Sequence, residues 1–414
     1  MMINHFIELV RDIYQTDDFI PLHAPVFSDL DLEYVMDAIE STFVSSVSDY
    51  VNKLEQDLCE FTGAGYAIPV VNGTSGIHLA LHVLGINADS EVLTQSLTFA
   101  ATCNAIAYTG AKPIFIDVDQ ESMGLCPDSL DNFLENNAEF REVNGGMRTI
   151  NKHTGKHIAA CVPMHTFGHP IEISKLIHVC EKWGIVLVED TAEALGSTFD
   201  FRGEKKHCGT IGAMGVLSFN GNKTITTGGG GAVLTNNYHL AERLRHLSTT
   251  AKLPHKWEYI HDELGFNYRM PGLNAALGCA QMAQLDHLLA DKQDITSIYR
   301  DWCSSQSVEF VDSREGTQPN FWLNAVLLSD RQERDEFLAQ TNKQGVMTRP
   351  VWQPMHLLNH FQDVQKADLT NTMFIMDRLV NVPSSARAFS EESAKTHGGD
   401  NAFSDKKSID GKRR

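Results

Sequence analysis

Short apolar runs alternate with amphipathic stretches along the first half of the chain. Continuous Val, Ile, Leu and Ala runs between turn residues are typical of buried strands, whereas apolar residues three and four apart are typical of helices. We therefore predict strands at residues 66–71, 91–94, 114–118, 158–164 and 185–189, and helices near residues 74–84, 99–108 and 173–183. Strands that alternate with helices form a mostly parallel sheet, so the pattern predicts an α/β fold.

The pattern changes in the second half of the chain. Residues 217–235 contain two short apolar runs around a turn, which predict an antiparallel addition to the sheet. Beyond about residue 250, a long helix (274–298), a strand (320–328) and a helix (331–344) indicate a smaller α+β domain. We divide the chain into an N-terminal amphipathic helix (1–18), a large domain (19–250), a small domain (251–385) and a tail (386–414).

The predicted tail is polar and almost devoid of large apolar residues. Such a segment cannot bury enough apolar surface to offset the entropy of ordering, so we expect it to be disordered.

Composition excludes several classes of protein. A chain of 414 residues with a net charge of −19 and no basic stripe is not expected to bind nucleic acid. It contains no apolar run of about 18 residues that would span a membrane, and its N-terminus lacks the apolar core of a signal peptide. The eight cysteines form no C-x-x-C pair, which indicates reduced thiols and a cytoplasmic protein. His165 and His169 are four residues apart without an acidic ligand beside them, so we expect no metal site.

Lys223 is the strongest candidate for chemistry. It lies in SFNGNKTITTGGGG, residues 218–231, between a short apolar strand and four consecutive glycines that leave room for a flat ligand. A buried lysine amine can attack a carbonyl group. A lysine before a glycine-rich hairpin is more often an exposed side chain, so the functional interpretation depends on its context.

That context includes an acidic residue and an anion-binding turn. Asp190 follows an apolar run, at the strand end where α/β sheets bind ligands, and it could pair with a protonated pyridine nitrogen. Its alternative role is to cap the helix that follows. Thr74 and Ser75 start a helix after the turn Asn72-Gly73, where free N–H groups favour an anion. Together these parts indicate a pyridoxal phosphate site.

The chain resembles the DegT/DnrJ/EryC1/StrS family of sugar aminotransferases, which implies pyridoxal 5'-phosphate and fold type I, the aspartate aminotransferase fold. Matching segments run from about residue 19 to residue 385, including FIPLHAPVF, VNGTSGIHLAL, VEDTAEALGS, SFNGNKTITTGGGG, GFNYRMPGLNAALG and TRPVWQPMHLL. They are most similar to the branch that acts on nucleotide-linked 4-keto-6-deoxy sugars in bacillosamine and legionaminic acid synthesis.

The resemblance implies a role for each matching residue. Lys223 bonds to the cofactor aldehyde and moves the proton during transfer. Cofactor contacts are implied for Asp190 at the ring nitrogen, for Thr74, Ser75 and Ser218 at the phosphate, for Phe99 on the ring face, for Glu193 at the ring hydroxyl or the substrate, and for Asn267 at the phosphate of the neighbouring subunit. Plain core packing is the alternative for Phe99, and many relatives carry glutamine in place of Glu193. The role of Asn267 implies a homodimer with shared active sites.

The implied reaction transfers an amino group from glutamate to C4 of a nucleotide sugar, in particular UDP-4-keto-6-deoxy-N-acetylhexosamine. Candidate substrate contacts are Arg269, Arg349, Trp352 and His356, but an arginine beside proline and a tryptophan in an apolar run are more often structural. Further positive charge near Arg269 comes from Lys252, His255 and Lys256, which a solvated loop would also explain. The alternatives are a sugar dehydratase, an amino-cyclitol aminotransferase and a catalytically silent regulator or scaffold. Some relatives that act as dehydratases carry histidine at the lysine position, so Lys223 favours transamination.

Overall fold

A computed structural model describes residues 2–143 and 145–388 of the chain. The helices are α1 (Met2–Tyr14), α2 (Asp29–Glu40), α3 (Asp49–Thr62), α4 (Gly73–Val83), α5 (Ala100–Tyr108), α6 (Pro127–Asn137), α7 (Ile173–Trp183), α8 (Tyr238–Ser248), α9 (Gly272–Ala283), α10 (Leu285–Gln306), α11 (Arg331–Lys343) and α12 (Thr370–Met376).

The strands are β1 (Tyr66–Val70), β2 (Ser90–Gln95), β3 (Lys112–Ile116), β4 (Ala138–Val143), β5 (Gly146–Asn151), β6 (His157–Val162), β7 (Val186–Asp190), β8 (Thr198–Phe201), β9 (Glu204–His207), β10 (Met214–Ser218), β11 (Gly231–Thr235), β12 (Lys252–Leu253), β13 (Ile260–His261), β14 (Glu309–Phe310), β15 (Thr317–Gln318), β16 (Asn324–Leu327), β17 (Arg349–Pro350) and β18 (Leu379–Val382).

A nine-stranded sheet forms the centre of the large domain. Its main path runs β1-β11-β10-β7-β6-β2-β3, and the hairpin β4–β5 joins β6. Strands β10, β7, β6, β2 and β3 pair in parallel, whereas β11 is antiparallel to both β1 and β10. The predicted mostly parallel sheet and its antiparallel addition are therefore confirmed.

The sheet is covered on both faces, which explains why its strands are apolar without alternation. On one face, Ile77 and Leu81 of α4 pack against strand residues such as Val216. On the other face, helices α6 and α7 pack against β3 and β7. A Cβ atom on Gly231 of β11 would lie 2.9 Å from the backbone nitrogen of Gly73, so a glycine here lets the start of α4 approach the sheet.

The second half of the described chain forms a smaller four-stranded sheet in the order β14-β16-β18-β17. Helix α1 packs with α10 and α11, and its Phe6 side chain contacts Tyr299, Trp302 and Phe337. The N-terminal helix is therefore part of this smaller core.

The structure differs from the predicted elements in several places. The single long helix predicted at residues 274–298 is wrong, because α9 and α10 are separated at Gln284. The buried amide of Gln284 donates hydrogen bonds to Asp31 and to the Ala280 carbonyl, and these contacts favour the bend. Strand β3 begins and ends two residues earlier than predicted. The hairpins β4–β5 and β8–β9 lack strong apolar runs and were not predicted.

The beginning of the predicted tail contacts the protein. Ala386 is buried, and Arg387 forms ion pairs with Asp291 and Asp294 of α10. Residues 389–414 lie outside the described residues, so the disorder predicted for them remains a prediction, as do the domain boundaries. Over the two described ranges, no helix has both the length and the apolar character needed to cross a membrane.

Candidate active site

A cavity of about 240 Å³ lies where β7 and β10 end and α4 begins. It brings together six of the predicted residues from segments far apart in the chain. The lining residues are Asn72, Gly73, Thr74, Ile77, Phe99, Ala101, Met164, Asp190, Ala192, Glu193, Ser218, Asn220 and Lys223. A larger cleft of about 770 Å³ between β8 and the 309–317 segment contains none of the predicted site residues, so volume alone does not locate the site.

The loop after β10 holds the Lys223 amine in a fixed place. The Lys223 backbone N–H donates to the Asn220 carbonyl, which closes a tight turn. The Lys223 Nζ atom lies 3.0 Å from Glu193 Oε1 and 4.0 Å from the centroid of the Trp322 ring, an attractive cation–π geometry. Trp322 Nε1 in turn donates to the Asn222 carbonyl at 2.6 Å. The amine is therefore positioned by contacts on two sides.

Asp190 is a buried carboxylate at the end of β7. Its Oδ2 atom accepts a hydrogen bond from Thr102 Oγ1 at 2.6 Å, and its Oδ1 atom accepts one from the Ala192 N–H at 3.1 Å. Burial raises the Asp190 pKa, and these hydrogen bonds together with the charge of Lys223 partly oppose that effect. The helix-capping alternative is wrong, because β7 is followed by turns and then by β8.

Glu193 links Lys223 to a neighbouring loop. Its Oε2 atom accepts a hydrogen bond from the Phe167 N–H at 2.9 Å, while Oε1 faces Lys223. Burial raises the Glu193 pKa to about 7, although the nearby Lys223 charge opposes this effect. A carboxyl group with this pKa can exchange a proton near neutral pH.

The part of the cavity at the start of α4 suits an anion. Helix α4 starts at Gly73, and Asn72 caps it by accepting a hydrogen bond from the Ser75 N–H at 2.7 Å. Thr74 and Ser218 line the cavity here, whereas Ser75 does not. A helix start with two hydroxyl groups is a suitable site for a phosphate group.

Pyridoxal 5'-phosphate fits these residues. Among the described residues, no basic side chain lies within ion-pair distance of Asp190, which leaves a buried carboxylate available for a protonated ring nitrogen. The amine, this carboxylate and the anion-binding helix start surround one cavity. Phe99 also lines it with half of its side-chain surface exposed, so the core-packing alternative for Phe99 is wrong.

The other predicted contacts lie outside this cavity. Asn267 is exposed, and Arg269 is paired with Glu55. Arg349 is exposed on β17. Trp352 meets the Phe99 ring edge-on with centroids 6.0 Å apart, and so adjoins the cavity through Phe99.

His356 and the loop cations are also outside the cavity. His356 Nδ1 lies 2.7 Å from the hydroxyl group of Ser96, three residues before Phe99. Lys252, His255 and Lys256 belong to an exposed segment around β12 and β13.

The prediction that no acidic side chain lies beside His165 is wrong. His165 does have an acidic neighbour, because its Nε2 atom lies 3.0 Å from Glu189 Oε2 in the protein interior. Within the described ranges, the group close enough to hold an ion is instead His246, Asp262 and Glu263 on the surface. Arg243 pairs with this Glu263 carboxylate.

Sequence reasoning missed residues that hold the site together. Asn320 donates hydrogen bonds to the Glu193 carbonyl and to Thr224 Oγ1, and Trp322 lies under Lys223. Both come from the segment before β16 and have no local signal that links them to the site. Thr102 lies one helical turn after Phe99, and that spacing could have identified it.

Comparison with known proteins places this site in a family. The chain matches the DegT/DnrJ/EryC1/StrS aminotransferase family over residues 27–396 and belongs to it. It is 33% identical over 345 residues to the GDP-perosamine synthase of Escherichia coli O157:H7, covering 83% of this chain and 88% of that protein. It is 31% identical over 370 residues to the GDP-perosamine synthase of Vibrio cholerae, covering 88% and 94%.

Solved structures show the same fold. The aminotransferase TlmJ from Streptoalloteichus hindustanus superposes with a TM-score of 0.79 at 24% identity, covering 92% of this chain and 97% of that one. PseC from Helicobacter pylori, an aminotransferase involved in the biosynthesis of pseudoaminic acid, superposes with a TM-score of 0.78 at 20% identity and the same coverage. The chain is therefore a sugar aminotransferase that uses pyridoxal 5'-phosphate, and the predicted family, fold and cofactor are confirmed.

Proposed function

We propose that this enzyme transfers an amino group from glutamate to C4 of a nucleotide-linked 4-keto-6-deoxy sugar, and that UDP-4-keto-6-deoxy-N-acetylhexosamine is its substrate. The observation that carries the proposal is the presence of Lys223 and Asp190 in one cavity beside the start of α4. The resemblance of several sequence segments to the bacillosamine and legionaminic acid branch supports the choice of sugar.

Some residues of the site would bind the cofactor, and others would transfer protons. When bound, pyridoxal phosphate supplies an aldehyde that carries the amino group and a ring that accepts electrons. Asp190 would pair with the ring nitrogen and Phe99 would cover the ring, while Thr74, Ser218 and the N–H groups of α4 would bind the phosphate. These contacts orient the reacting atoms before any proton moves.

Lys223 is the proton carrier. Its amine removes the proton from Cα of glutamate and later gives a proton to C4 of the sugar. Glu193 accepts a hydrogen bond from Lys223 Nζ and can take up a proton near neutral pH, so it assists in returning the lysine to its neutral form.

We propose that the enzyme works as a homodimer with shared active sites. Leu32, Met36 and Ile39 form an exposed apolar stripe along α2, and each is more than half exposed. Trp257 and Tyr259, between β12 and β13, are also exposed. Exposed apolar patches of this kind mark protein contacts, and in a dimer Asn267 could reach a neighbouring phosphate site.

The dimer proposal has a direct test. Coexpression of Lys223→Ala chains with Asn267→Ala chains should restore activity in mixed dimers if one site takes Lys223 from one subunit and Asn267 from the other. Each variant alone should be inactive or nearly so. Mixtures that stay as inactive as the parents, or a protein that is monomeric by light scattering, would rule out shared sites.

The reaction is tested with labelled glutamate. The purified protein should bind pyridoxal phosphate with visible absorption, and Lys223→Ala should abolish that absorption while the exposed control Lys175→Ala keeps it. Incubation with ¹⁵N-glutamate and UDP-, GDP- and dTDP-linked 4-keto-6-deoxy sugars should label the sugar at C4. A product without new nitrogen would indicate a dehydratase and refute the proposed function.

A GDP-linked sugar is the second candidate. The similarity to two GDP-perosamine synthases over more than four fifths of this chain favours it. Assays with the UDP-, GDP- and dTDP-linked sugars separate the two candidate substrates, because the enzyme should have its highest kcat/KM for the sugar linked to one of these nucleotides.

A further inference from the structure

Lys292 of α10 is a buried lysine that the proposed reaction does not use. Its side chain is 1% exposed, and in the described ranges no carboxylate lies within ion-pair distance of it. Instead, Nζ lies 2.5 Å from the Ser384 carbonyl oxygen, 3.1 Å from the Trp322 carbonyl oxygen and 3.2 Å from His23 Nε2. Three acceptors match the three hydrogens of an ammonium group. Burial lowers the Lys292 pKa to about 7, so this form predominates below neutral pH.

The Lys292 contact sets the tautomer of His23. An ammonium group only donates, so Nε2 of His23 accepts and Nδ1 carries the hydrogen. Burial and the charges of Lys292 and Lys223 lower the His23 pKa, which keeps the ring neutral. The Nδ1 atom is shielded from solvent and has no hydrogen-bond partner among the described residues. A buried donor without an acceptor is unfavourable, so a molecule outside the chain, either a water or a ligand, should accept this hydrogen bond.

His23 lies beside the reacting lysine. Its ring centroid is 6.2 Å from that of Trp322, and Lys223 Nζ lies 4.0 Å from the Trp322 ring centroid. Lys292 also holds the Trp322 carbonyl, so one buried ammonium group fixes both rings. His23 and the Lys223 amine therefore lie against the same ring of Trp322, although His23 is not among the residues that line the cavity.

We propose that His23 binds the substrate, with Nδ1–H donating a hydrogen bond to a substrate oxygen, and that Lys292 is the positioning residue that sets this tautomer. The oxygen belongs either to the carboxylate of the amino donor or to the keto-sugar. The inference rests on the proposed function for the identity of these substrates. The tautomer itself depends only on the described contacts.

The tautomer is tested without any reaction. In ¹⁵N-histidine-labelled cofactor-free enzyme at pH 6, the ¹⁵N NMR signals of His23 should show a protonated Nδ1 and an unprotonated Nε2. His23→Gln assigns the signals by removing them, and Lys292→Met should change the Nε2 signal. A doubly protonated ring, or a ring protonated at Nε2, would overturn the proposal.

Two substitutions separate the two ring nitrogens. A glutamine amide reaches the Nε2 position and keeps an acceptor for Lys292, whereas an asparagine amide reaches the Nδ1 position and keeps the donor. His23→Gln should raise KM for one substrate about tenfold. His23→Asn should leave that KM within about twofold and should lower the melting temperature, because Lys292 loses an acceptor. Cofactor uptake should be unchanged in both variants.

The two half-reactions identify the substrate. The glutamate half-reaction is followed by the spectral change of the bound cofactor with L-glutamate alone, and the sugar half-reaction by the reverse change with the keto-sugar. A raised KM in the first places His23 at the donor carboxylate, and a raised KM in the second places it at the sugar. Unchanged KM values for both in His23→Gln overturn the role of His23, whereas wild-type enzyme that aminates no keto-sugar overturns the proposed function instead.

Discussion

The Glu193→Gln variant tests whether burial controls the charge at the active site. Glu193 is 2% exposed, and its two carboxylate oxygens accept hydrogen bonds from Lys223 and from the Phe167 N–H. Burial raises the Glu193 pKa from 4.5 to about 7 in the folded protein. Glutamine keeps the shape of the side chain and removes its titration.

The pH dependence has a defined sign. Because the folded pKa is higher than the unfolded value, the folded protein binds more protons between pH 4.5 and 7. The contribution of Glu193 to stability is therefore present below pH 4.5 and is lost as the pH rises through 7. A pKa difference of about 2.5 corresponds to about 3 kcal/mol of unfolding free energy. Glutamine should not show this loss.

The assay is urea denaturation of cofactor-free protein at several pH values from 5 to 8. The unfolding free energy of Glu193→Gln relative to wild type should rise by roughly 2–3 kcal/mol across this range. Glutamine also loses one of the two hydrogen bonds, but that loss shifts the difference equally at every pH. Glu121→Gln, at an exposed side chain, is the matched control and should give a flat difference. A flat difference for Glu193→Gln would refute the reasoning.

Substitutions at three other positions test the site and the core. Asp190→Asn should lower kcat by roughly a hundredfold or more. It should not destabilise the cofactor-free protein, because it removes a buried charge. A kcat loss below tenfold would contradict the role of Asp190 at the ring nitrogen. Asn72→Ala should lower the unfolding free energy by about 1 kcal/mol through loss of the α4 cap, and Asn72→Ser should restore most of it in urea denaturation. Leu54→Ala, at a fully buried core position, should lower the unfolding free energy by about 2–5 kcal/mol in urea denaturation. A decrease below about 1 kcal/mol would show that the core is not tightly packed around Leu54.

Part of the site could be predicted because it lies at the ends of buried strands. Asp190 ends β7 and Ser218 ends β10, and these strands are adjacent and parallel in the sheet. Their positions follow from apolar runs that a sequence displays directly. Lys223 follows β10 within one loop, so its place near Asp190 also follows from local order.

Other parts of the site could not be predicted because their contacts join distant segments. Trp322 reaches Lys223 across 99 residues of chain, and Lys292 meets His23 across 269 residues. No periodicity in either segment points to its partner. The break at Gln284 likewise depends on Asp31, which lies far away in sequence.

The sequence by itself determined most strands and helices of the large sheet and made Lys223 the candidate for the reacting lysine, because burial periodicity and strand-end chemistry are local properties. Tertiary structure alone decided which ionisable groups lose contact with water. The raised pKa of Glu193 and the lowered pKa of Lys292 both arise from burial by segments that are remote in the chain. The protonation states of Glu193 and Lys292 therefore depend on the packed protein, since desolvation of a charged group depends on all the segments that exclude water from it.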